Sequence, residues 1–255
     1  MPLELVTIPC LSDNYAYLIH DTESGATAVV DVPDAAPILQ TLADRGWALT
    51  DIWLTHHHSD HIQGVADLQA ATSARVTGAA TDAHRLPPLD RALPDEGTLT
   101  LGTHTAHSFP VPGHTIGHIA FHIPSAALAF TGDSLMSAGC GRLFEGTPAQ
   151  MHASLQRLAA LPPETLICSG HEYTASNIRF ALTLEPANAA LISRSNRVSV
   201  ARGEGRPTVP VALSEELETN PFLRAHLPDL KAAIGQPSAS DTAAFAEIRA
   251  RKDRF

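Results

Sequence analysis

Histidine and aspartate side chains lie close together in the segment THHHSDHIQG, directly after the apolar run DIWL. His56 and His58 are two positions apart, so at the end of an extended strand they point to one side, whereas His57 points to the other. This spacing predicts that His56 and His58 coordinate the same metal ion. Asp60 and His61 follow where the strand is expected to turn into a helix, and this change of direction lets them reach a second ion.

Two metal ions need more ligands than these four residues, and the chain supplies them at other strand ends. His114 follows a Pro-Gly turn in PGHTIGH, Asp133 ends the apolar run of AFTGDS, and His171 ends that of LICSGHEYT. In layered α/β structures such loops collect on one edge, where ligand sites are usually built. Imidazole and carboxylate ligands without a thiolate cluster suit a zinc, iron or manganese site rather than a structural zinc module. We predict two divalent ions as cofactors. Zinc is the metal we expect, and iron and manganese are the alternatives.

The succession HxHxDH, GHTxGH, GD and GHEYT resembles the metallo-β-lactamase superfamily, and more narrowly the hydroxyacylglutathione hydrolases, or glyoxalase II. The resemblance runs along the whole chain, from IPCLSDNYAYLI near the N-terminus to the terminal RARKDRF. The histidine motif alone would indicate only the superfamily. The glyoxalase branch is indicated by GCGRLFEGT, GHEYT and RARKDRF.

The resemblance implies how the ligands divide between the two ions. To one metal it assigns His56, His58 and His114, to the other Asp60, His61 and His171, and to both the bridging Asp133. A hydroxide shared by the ions is the expected nucleophile, because metal coordination lowers the pKa of water from roughly 15.7 towards about 7. Asp60 and Asp133 are the implied catalytic residues, and Asp60 is expected to orient the hydroxide as well as to ligate.

The same resemblance implies that the substrate is an S-(2-hydroxyacyl)glutathione. Among these thioesters, S-D-lactoylglutathione is the one we expect. The reaction would release glutathione and D-lactate in methylglyoxal detoxification. Its leaving thiolate has a pKa of roughly 8.5, so no histidine acid is required to expel it. The residues that match the family's substrate-binding positions are Arg142, Phe144, Tyr173, Arg249 and Lys252. Phe144 stands where some relatives have tyrosine, so its contact with substrate must be apolar.

Other functions remain open at the level of sequence. Another hydrolase of the superfamily could act on a lactone, a phosphodiester or a different thioester, although RARKDRF and the helical tail count against it. A mononuclear iron persulfide dioxygenase would use two histidines and one carboxylate, and such proteins generally lack this C-terminal domain. A catalytically silent metal-binding protein is disfavoured because the ligand set is complete.

The pattern of elements predicts an α/β protein with two domains. Up to residue 172, short apolar strands such as YAYLIH and DIWLT alternate with the helical stretches PILQTLADRG and PAQMHASLQRLAAL. The resemblance implies that 1–172 is the metal-binding catalytic domain, folded as the superfamily's αβ/βα sandwich. Residues 173–255 contain three helical patterns, YTASNIRFALTL, ANAALISRSNRVSVAR and TAAFAEIRARK, joined by RGEGRPTVP and LPDLKAAIGQPSAS. They are predicted to form an α-helical substrate-binding domain.

Composition is that of an ordinary enzyme. The net charge of −10 disfavours nucleic acid, and no apolar stretch is long enough for a membrane span. The N-terminal MPLELVTIPC lacks the features of a signal peptide, and three scattered cysteines argue against a disulfide framework, so we expect a cytoplasmic protein. We expect a monomer whose partner is a small glutathione thioester, not nucleic acid or membrane.

Three residues near the predicted ligands have no assigned role. Asp31 ends the strand TAVVD, where it either hydrogen-bonds a ligating histidine and fixes its tautomer or serves as a turn residue before Pro33. By strand parity, His57 is expected to pack or to support a ligand. His118 is expected to support the site rather than to ligate.

Overall fold

The computed structural model of the chain describes residues 3–255, which form two compact units. The first unit contains the chain up to Pro110 together with Gly117–Gly132. The second contains Val111–Ile116 together with Asp133–Phe255. Among the described residues no helix has the length and apolar character needed to cross a bilayer. The division into 1–172 and 173–255 stays a prediction.

The first unit contains a mixed sheet in which the strands follow one another in chain order. Its first three strands are antiparallel, and the third to sixth are parallel. The parallel strands place the loop after each strand at one edge of the sheet. The strands are β1 (Leu3–Cys10), β2 (Asn14–Asp21), β3 (Thr27–Val30), β4 (Asp51–Trp53), β5 (Arg75–Ala79) and β6 (Arg91–Leu93).

A second group of strands in this unit is antiparallel. Its members are β7 (Gly97–Leu101), β8 (His104–Pro110), β9 (Ile119–Ile123) and β10 (Leu128–Gly132). Aromatic side chains of the two strand groups meet in the core, with ring centroids 5.7 Å apart for Tyr17 and Phe130 and 5.4 Å for Trp53 and Phe121. Each buried phenylalanine stabilises the fold by about 1.5–3 kcal/mol.

Helices cover the first sheet of this unit. They are α1 (Ala35–Arg45), α2 (Ser59–Ile62) and α3 (Val65–Thr72). Helix α1 begins where the Asp34 carboxylate accepts from Ala36 N at 3.0 Å, and it ends at Gly46, whose φ of 67° suits a glycine. Its apolar stripe, which includes Ile38 and Leu42, packs in one core cluster with the sheet.

The second unit is mostly helical. Its strands are β11 (Leu135–Met136), β12 (Gly139–Cys140), β13 (Leu166–Ser169) and β14 (Val211–Ala212). Its helices are α4 (Pro148–Ala159), α5 (Thr174–Leu184), α6 (Ala189–Gly203), α7 (Leu213–Thr219), α8 (Pro228–Ala233) and α9 (Asp241–Arg254). Helix α4 begins with a capping box, in which Thr147 accepts from Gln150 N at 3.2 Å and the Gln150 side chain accepts from Thr147 N at 2.9 Å.

The predicted helices at α1, α4, α5, α6 and α9 are confirmed, as is the strand-to-helix turn at α2. One prediction is wrong, because LPDLKAAIGQPSAS contains α8 rather than being wholly a connection. Pro228 starts this helix with a fixed φ, and Leu230 anchors it in the core. Helix α3 and strands β5 to β8 were not predicted, because their apolar runs are short and interrupted by glycine or polar residues.

Candidate metal centre

The first unit brings three predicted ligand histidines together at the end of β4. The ring centroid of His56 lies 4.8 Å from that of His58 and 4.1 Å from that of His61. The extended strand end turns side chains two apart to one side, and α2 returns His61 towards them. The predicted convergence of His56 and His58 is therefore seen, while the His57 Nδ1 atom lies 3.1 Å from Asp82 Oδ2 instead.

Asp31 orients two of these histidines through one chain of hydrogen bonds. Its Oδ2 atom accepts from His61 Nδ1 at 2.8 Å and from Thr55 Oγ1 at 2.8 Å. Since the Thr55 hydroxyl donates to Asp31, it accepts from His56 Nδ1, at 3.0 Å. Both imidazoles thus carry their proton on Nδ1 and present the Nε2 lone pair to a ligand. The hydrogen bond from a histidine to Asp31 that the sequence suggested is confirmed.

The ligand atoms of Asp31, His56 and His61 lie within 4.8 Å of one another. We read Asp31 as the orienting member of this buried group, because its carboxylate also accepts from Thr55 N at 2.8 Å. A buried carboxylate needs this number of donors to offset its loss of hydration. The fully buried His118 ring stacks on His56 with centroids 4.6 Å apart, and its expected supporting role stays a prediction.

Asp60 is held by a residue that sequence reasoning missed. The Asn14 amide donates to Asp60 Oδ2 and to the Asp60 carbonyl, each at 3.0 Å. This double contact fixes the partly exposed carboxylate, whose Oδ2 lies 3.8 Å from His61 Nε2. The only available signal was the position of Asn14 in IPCLSDNYAYLI, and Thr55 was missed in the same way beside the histidine motif.

The second unit contains the other three predicted ligands, and two of them are histidines that converge on one oxygen of the third, Asp133. Asp133 Oδ2 lies 3.5 Å from His114 Nε2 and 3.2 Å from His171 Nε2. All three side chains are buried. His114 donates from Nδ1 to the Arg142 carbonyl at 2.9 Å, so its Nε2 lone pair faces Asp133. Two imidazole nitrogens and a carboxylate are the donor set of a zinc, iron or manganese ligand shell.

Aromatic side chains lie against these two histidines. The Phe144 ring meets His114 edge-on with centroids 5.2 Å apart, and 63% of the residue is exposed. The Tyr173 ring stacks on His171 at 4.8 Å and 7°, with 39% exposed. Exposed aromatics beside buried polar groups are typical of a ligand-binding wall. The sequence predicted both as substrate-binding residues, and that role stays a prediction.

The two predicted cations of α9 differ in their surroundings. Arg249 is only 4% exposed; its guanidinium donates to the Cys140 carbonyl at 2.9 Å and pairs with Asp253 at 2.9 Å. Lys252 is half-buried, and its Nζ atom donates to the Ser176 carbonyl at 3.3 Å. Burial, together with the neighbouring Arg249, lowers the pKa of Lys252 to about 8.

Other cations add to the effect on Lys252. The Arg179 and Arg142 guanidinium groups also lower its pKa, so the four cations share one region of positive potential in the second unit. Asn177 is buried and donates to the Ser137 carbonyl at 2.9 Å. The predicted substrate roles of Arg142, Arg249 and Lys252 stay predictions.

Family comparisons divide the chain into two matched parts. Residues 12–171 match the metallo-beta-lactamase superfamily, and residues 172–255 match the C-terminus of hydroxyacylglutathione hydrolase. The hydroxyacylglutathione hydrolase of Fuscovulum blasticum is 67% identical over 255 residues, with 100% of both chains covered.

Solved structures agree on the fold. ETHE1 from Myxococcus xanthus superposes with a TM-score of 0.69 at 25% identity, over 98% of this chain and 90% of that one. The protein TTHA1623 in a di-iron-bound form superposes with a TM-score of 0.62 at 27% identity, over 86% of this chain and 100% of that one. The predicted fold class, a metallo-β-lactamase fold with a C-terminal helical region, is confirmed.

Proposed function

Because the chain belongs to the hydroxyacylglutathione hydrolases of the metallo-β-lactamase superfamily, we propose that it hydrolyses S-(2-hydroxyacyl)glutathione thioesters. The proposed main substrate is S-D-lactoylglutathione, and the products are glutathione and D-lactate, as in methylglyoxal detoxification. The observation that carries the chemistry is the convergence of His114 and His171 Nε2 on one oxygen of Asp133.

The donor set fits a pair of divalent ions. We assign to one ion His56, His58 and His114, to the other Asp60, His61 and His171, and to both Asp133. The fit is supported by the Nδ1 hydrogen bonds of His56, His61 and His114, which leave Nε2 as the coordinating atom in each. Zinc is the proposed metal, while iron and manganese accept the same donors.

When bound, divalent ions would supply Lewis acidity at the thioester carbonyl and lower the pKa of water towards neutrality. The chain's own residues place the reactants. Asp60, fixed by Asn14, is proposed to orient the attacking hydroxide through its partly exposed carboxylate. No acid needs to protonate the leaving group, because a thiolate with a pKa of roughly 8.5 departs readily. Asp31 holds His61 in the required tautomer.

Substrate binding is proposed for Arg142, Phe144, Tyr173, Arg249 and Lys252. Phe144 and Tyr173 offer exposed ring faces beside His114 and His171 to the thioester end of the substrate. The cations attract the carboxylates of glutathione, which compensates the overall charge of −10. The Arg249 guanidinium is already engaged by Cys140 and Asp253, so its proposed contribution is positive potential.

The proposed substrate is tested by comparing two thioesters with the same acyl group. Purified, metal-analysed protein is assayed with S-D-lactoylglutathione and with the lactoyl thioester of N-acetylcysteamine, which lacks both carboxylates. We expect kcat/KM to be at least about tenfold higher for the glutathione thioester, since each lost charged contact is worth about 1.5–3 kcal/mol. Equal values would overturn the glutathione assignment, and oxygen uptake with glutathione persulfide would favour a dioxygenase.

The location and the oligomeric state follow as further proposals. A cytoplasmic location is supported by the three buried free thiols, Cys10, Cys140 and Cys168, since reduced cysteines are usual in that compartment. We also propose a monomer, which light scattering of the purified protein would test.

A further inference from the structure

The hairpin β11–β12 joins two residues of the proposed site. Asp133 lies two positions before it and Arg142 two positions after it. Leu135 pairs with Cys140 and Met136 with Gly139 across the hairpin. Its base is closed by Gly141 N, which donates to the Ser134 carbonyl at 3.1 Å. A displacement of the hairpin therefore moves Asp133 and Arg142 together.

The hairpin is too small to hold its own shape. Two residues in each strand form a ladder that is unstable in isolation. At the tip, Ala138 has a φ of 55°, a left-handed conformation that is unfavourable for alanine. Contacts from elsewhere in the fold must supply the missing stability.

Side chains from the helical region form hydrogen bonds to the backbone groups at the tip of the hairpin. The Asn220 amide donates to the Met136 carbonyl at 3.2 Å and to the Gly139 carbonyl at 2.9 Å. The Glu216 carboxylate accepts from Ala138 N at 2.9 Å. Asn177, from α5, donates to the carbonyl of the remaining tip residue, Ser137.

This group of side chains is buried and internally paired. Glu216 and Asn220 are fully buried, and the Asn220 amide also donates to the Glu216 carboxylate at 2.8 Å. The buried Arg194 guanidinium neutralises Glu216 and donates to Ser137 Oγ at 2.8 Å. Burying charges costs stability compared with apolar packing, so this arrangement is expected where a defined geometry is needed more than stability.

We propose that Asn220 and Glu216 are positioning residues for the hydrolysis: they hold the hairpin so that Asp133 and Arg142 keep fixed places. The claim rests on the proposed function for its chemical consequence. Through this one hairpin, the helical region sets the geometry of a proposed metal ligand and of a proposed substrate cation.

The test compares Asn220→Ala with a variant that loses a similar asparagine elsewhere in the helical region. Asn188 caps α6 by accepting from Leu191 N at 3.1 Å, and its amide donates to the Glu218 carbonyl at 3.1 Å. Asn188→Ala therefore costs stability without removing a contact to the hairpin. Asn177→Ala serves as the second hairpin variant if Asn220→Ala does not fold.

Three readouts are measured on the full chain: metal retention against a chelator, KM and kcat for S-D-lactoylglutathione, and amide exchange of residues 133–142. We expect Asn220→Ala to weaken metal retention and to lower kcat/KM, each by about tenfold or more, as indirect supports of metal sites do. Amide exchange in 133–142 should quicken by a similar factor. Asn188→Ala should leave all three readouts within about twofold of the parent, because its contacts lie outside the hairpin.

The outcomes separate this claim from the proposed function. If the parent chain does not hydrolyse the thioester, the proposed function fails, while amide exchange still reports whether Asn220 fixes the hairpin. Unchanged exchange and metal retention in Asn220→Ala would overturn the positioning role. Equal losses in Asn220→Ala and Asn188→Ala would overturn it too, because they would show general destabilisation only.

Discussion

At the scale of single residues, Asp31 links the coordination chemistry to the fold. Its carboxylate accepts hydrogen bonds from His61 Nδ1, the Thr55 hydroxyl and the Thr55 amide. Through the Thr55 hydroxyl it also orients His56. The Asp31 backbone has a φ of 58°, a left-handed conformation that both aspartate and asparagine adopt. Asp31→Asn therefore changes the acceptor with little change in the backbone.

We predict that Asp31→Asn weakens metal binding by about 10- to 100-fold. One of the two acceptor oxygens becomes an NH2 donor, so the side chain can no longer accept all three hydrogen bonds from His61 and Thr55. Chelator competition on the purified protein measures the change. Asp82→Asn is the matched control, since Asp82 pairs with His57 at 3.1 Å and His57 is not a proposed ligand. Equal metal affinity for Asp31→Asn and the parent would show that this carboxylate does not support the ligands.

Lys252 gives the proposed substrate site a predicted pH dependence. Its pKa is lowered to about 8, so the ammonium is charged below that pH and neutral above it. Affinity for an anionic substrate should therefore fall as the pH rises through about 8, and KM should rise. Lys252→Arg keeps its charge and should move this rise to higher pH. An identical KM profile for the two proteins would remove Lys252 from substrate binding.

At the scale of elements, glycine permits the close approach of the hairpin end to the ligands. A Cβ atom at Gly141 would lie 2.0 Å from the Asp133 carbonyl oxygen and 3.0 Å from His114 Nδ1. Backbone cannot yield as a flexible side chain can, so the segment would have to move.

We predict that Gly141→Ala lowers the free energy of unfolding by about 1–3 kcal/mol and reduces metal content, because the added methyl group overpacks the site. Denaturant unfolding and metal analysis measure both effects. Gly203→Ala is the control, since no atom lies within 4 Å of a Cβ there, and it should be neutral or slightly stabilising. A stable, fully metal-loaded Gly141→Ala protein would contradict the described packing.

Much of the element pattern could be predicted from local signals. Helix α1 follows from its apolar stripe and its end at Gly46, and β2 from the run YAYLIH. The short strands β5 to β8 could not, because tertiary packing rather than their own sequence selects them. At the site, ligand types and the parity of His56 and His58 were readable. The contact of Asn14 with Asp60 spans 46 positions, and no local pattern indicates such a pair.

At the scale of the whole molecule, the helical region and the segment before it share buried cores. Ala138 packs in one cluster with Ile178, Ala181, Leu191 and Val198. The predicted domain boundary after residue 172 would separate Ala138 from the others. Residues on both sides of that point therefore contribute to one compact unit.

We predict that a fragment ending at residue 172 unfolds at a lower temperature than the full chain, because it lacks the partners of the hairpin and of this cluster. Circular dichroism during heating of the fragment and the full chain makes the comparison. A sharp transition of the fragment at the temperature of the full chain would show that 1–172 folds alone.

The metal dependence of the proposed hydrolysis is tested most directly by one titration. Metal is removed from the protein, zinc is added back in steps, and the initial rate of S-D-lactoylglutathione hydrolysis is measured at each step. We predict that activity is absent without metal and reaches its plateau at about two ions per chain, since Asp133 is proposed to serve both. Hydrolysis that does not depend on metal, or no hydrolysis with two ions bound, would contradict the account.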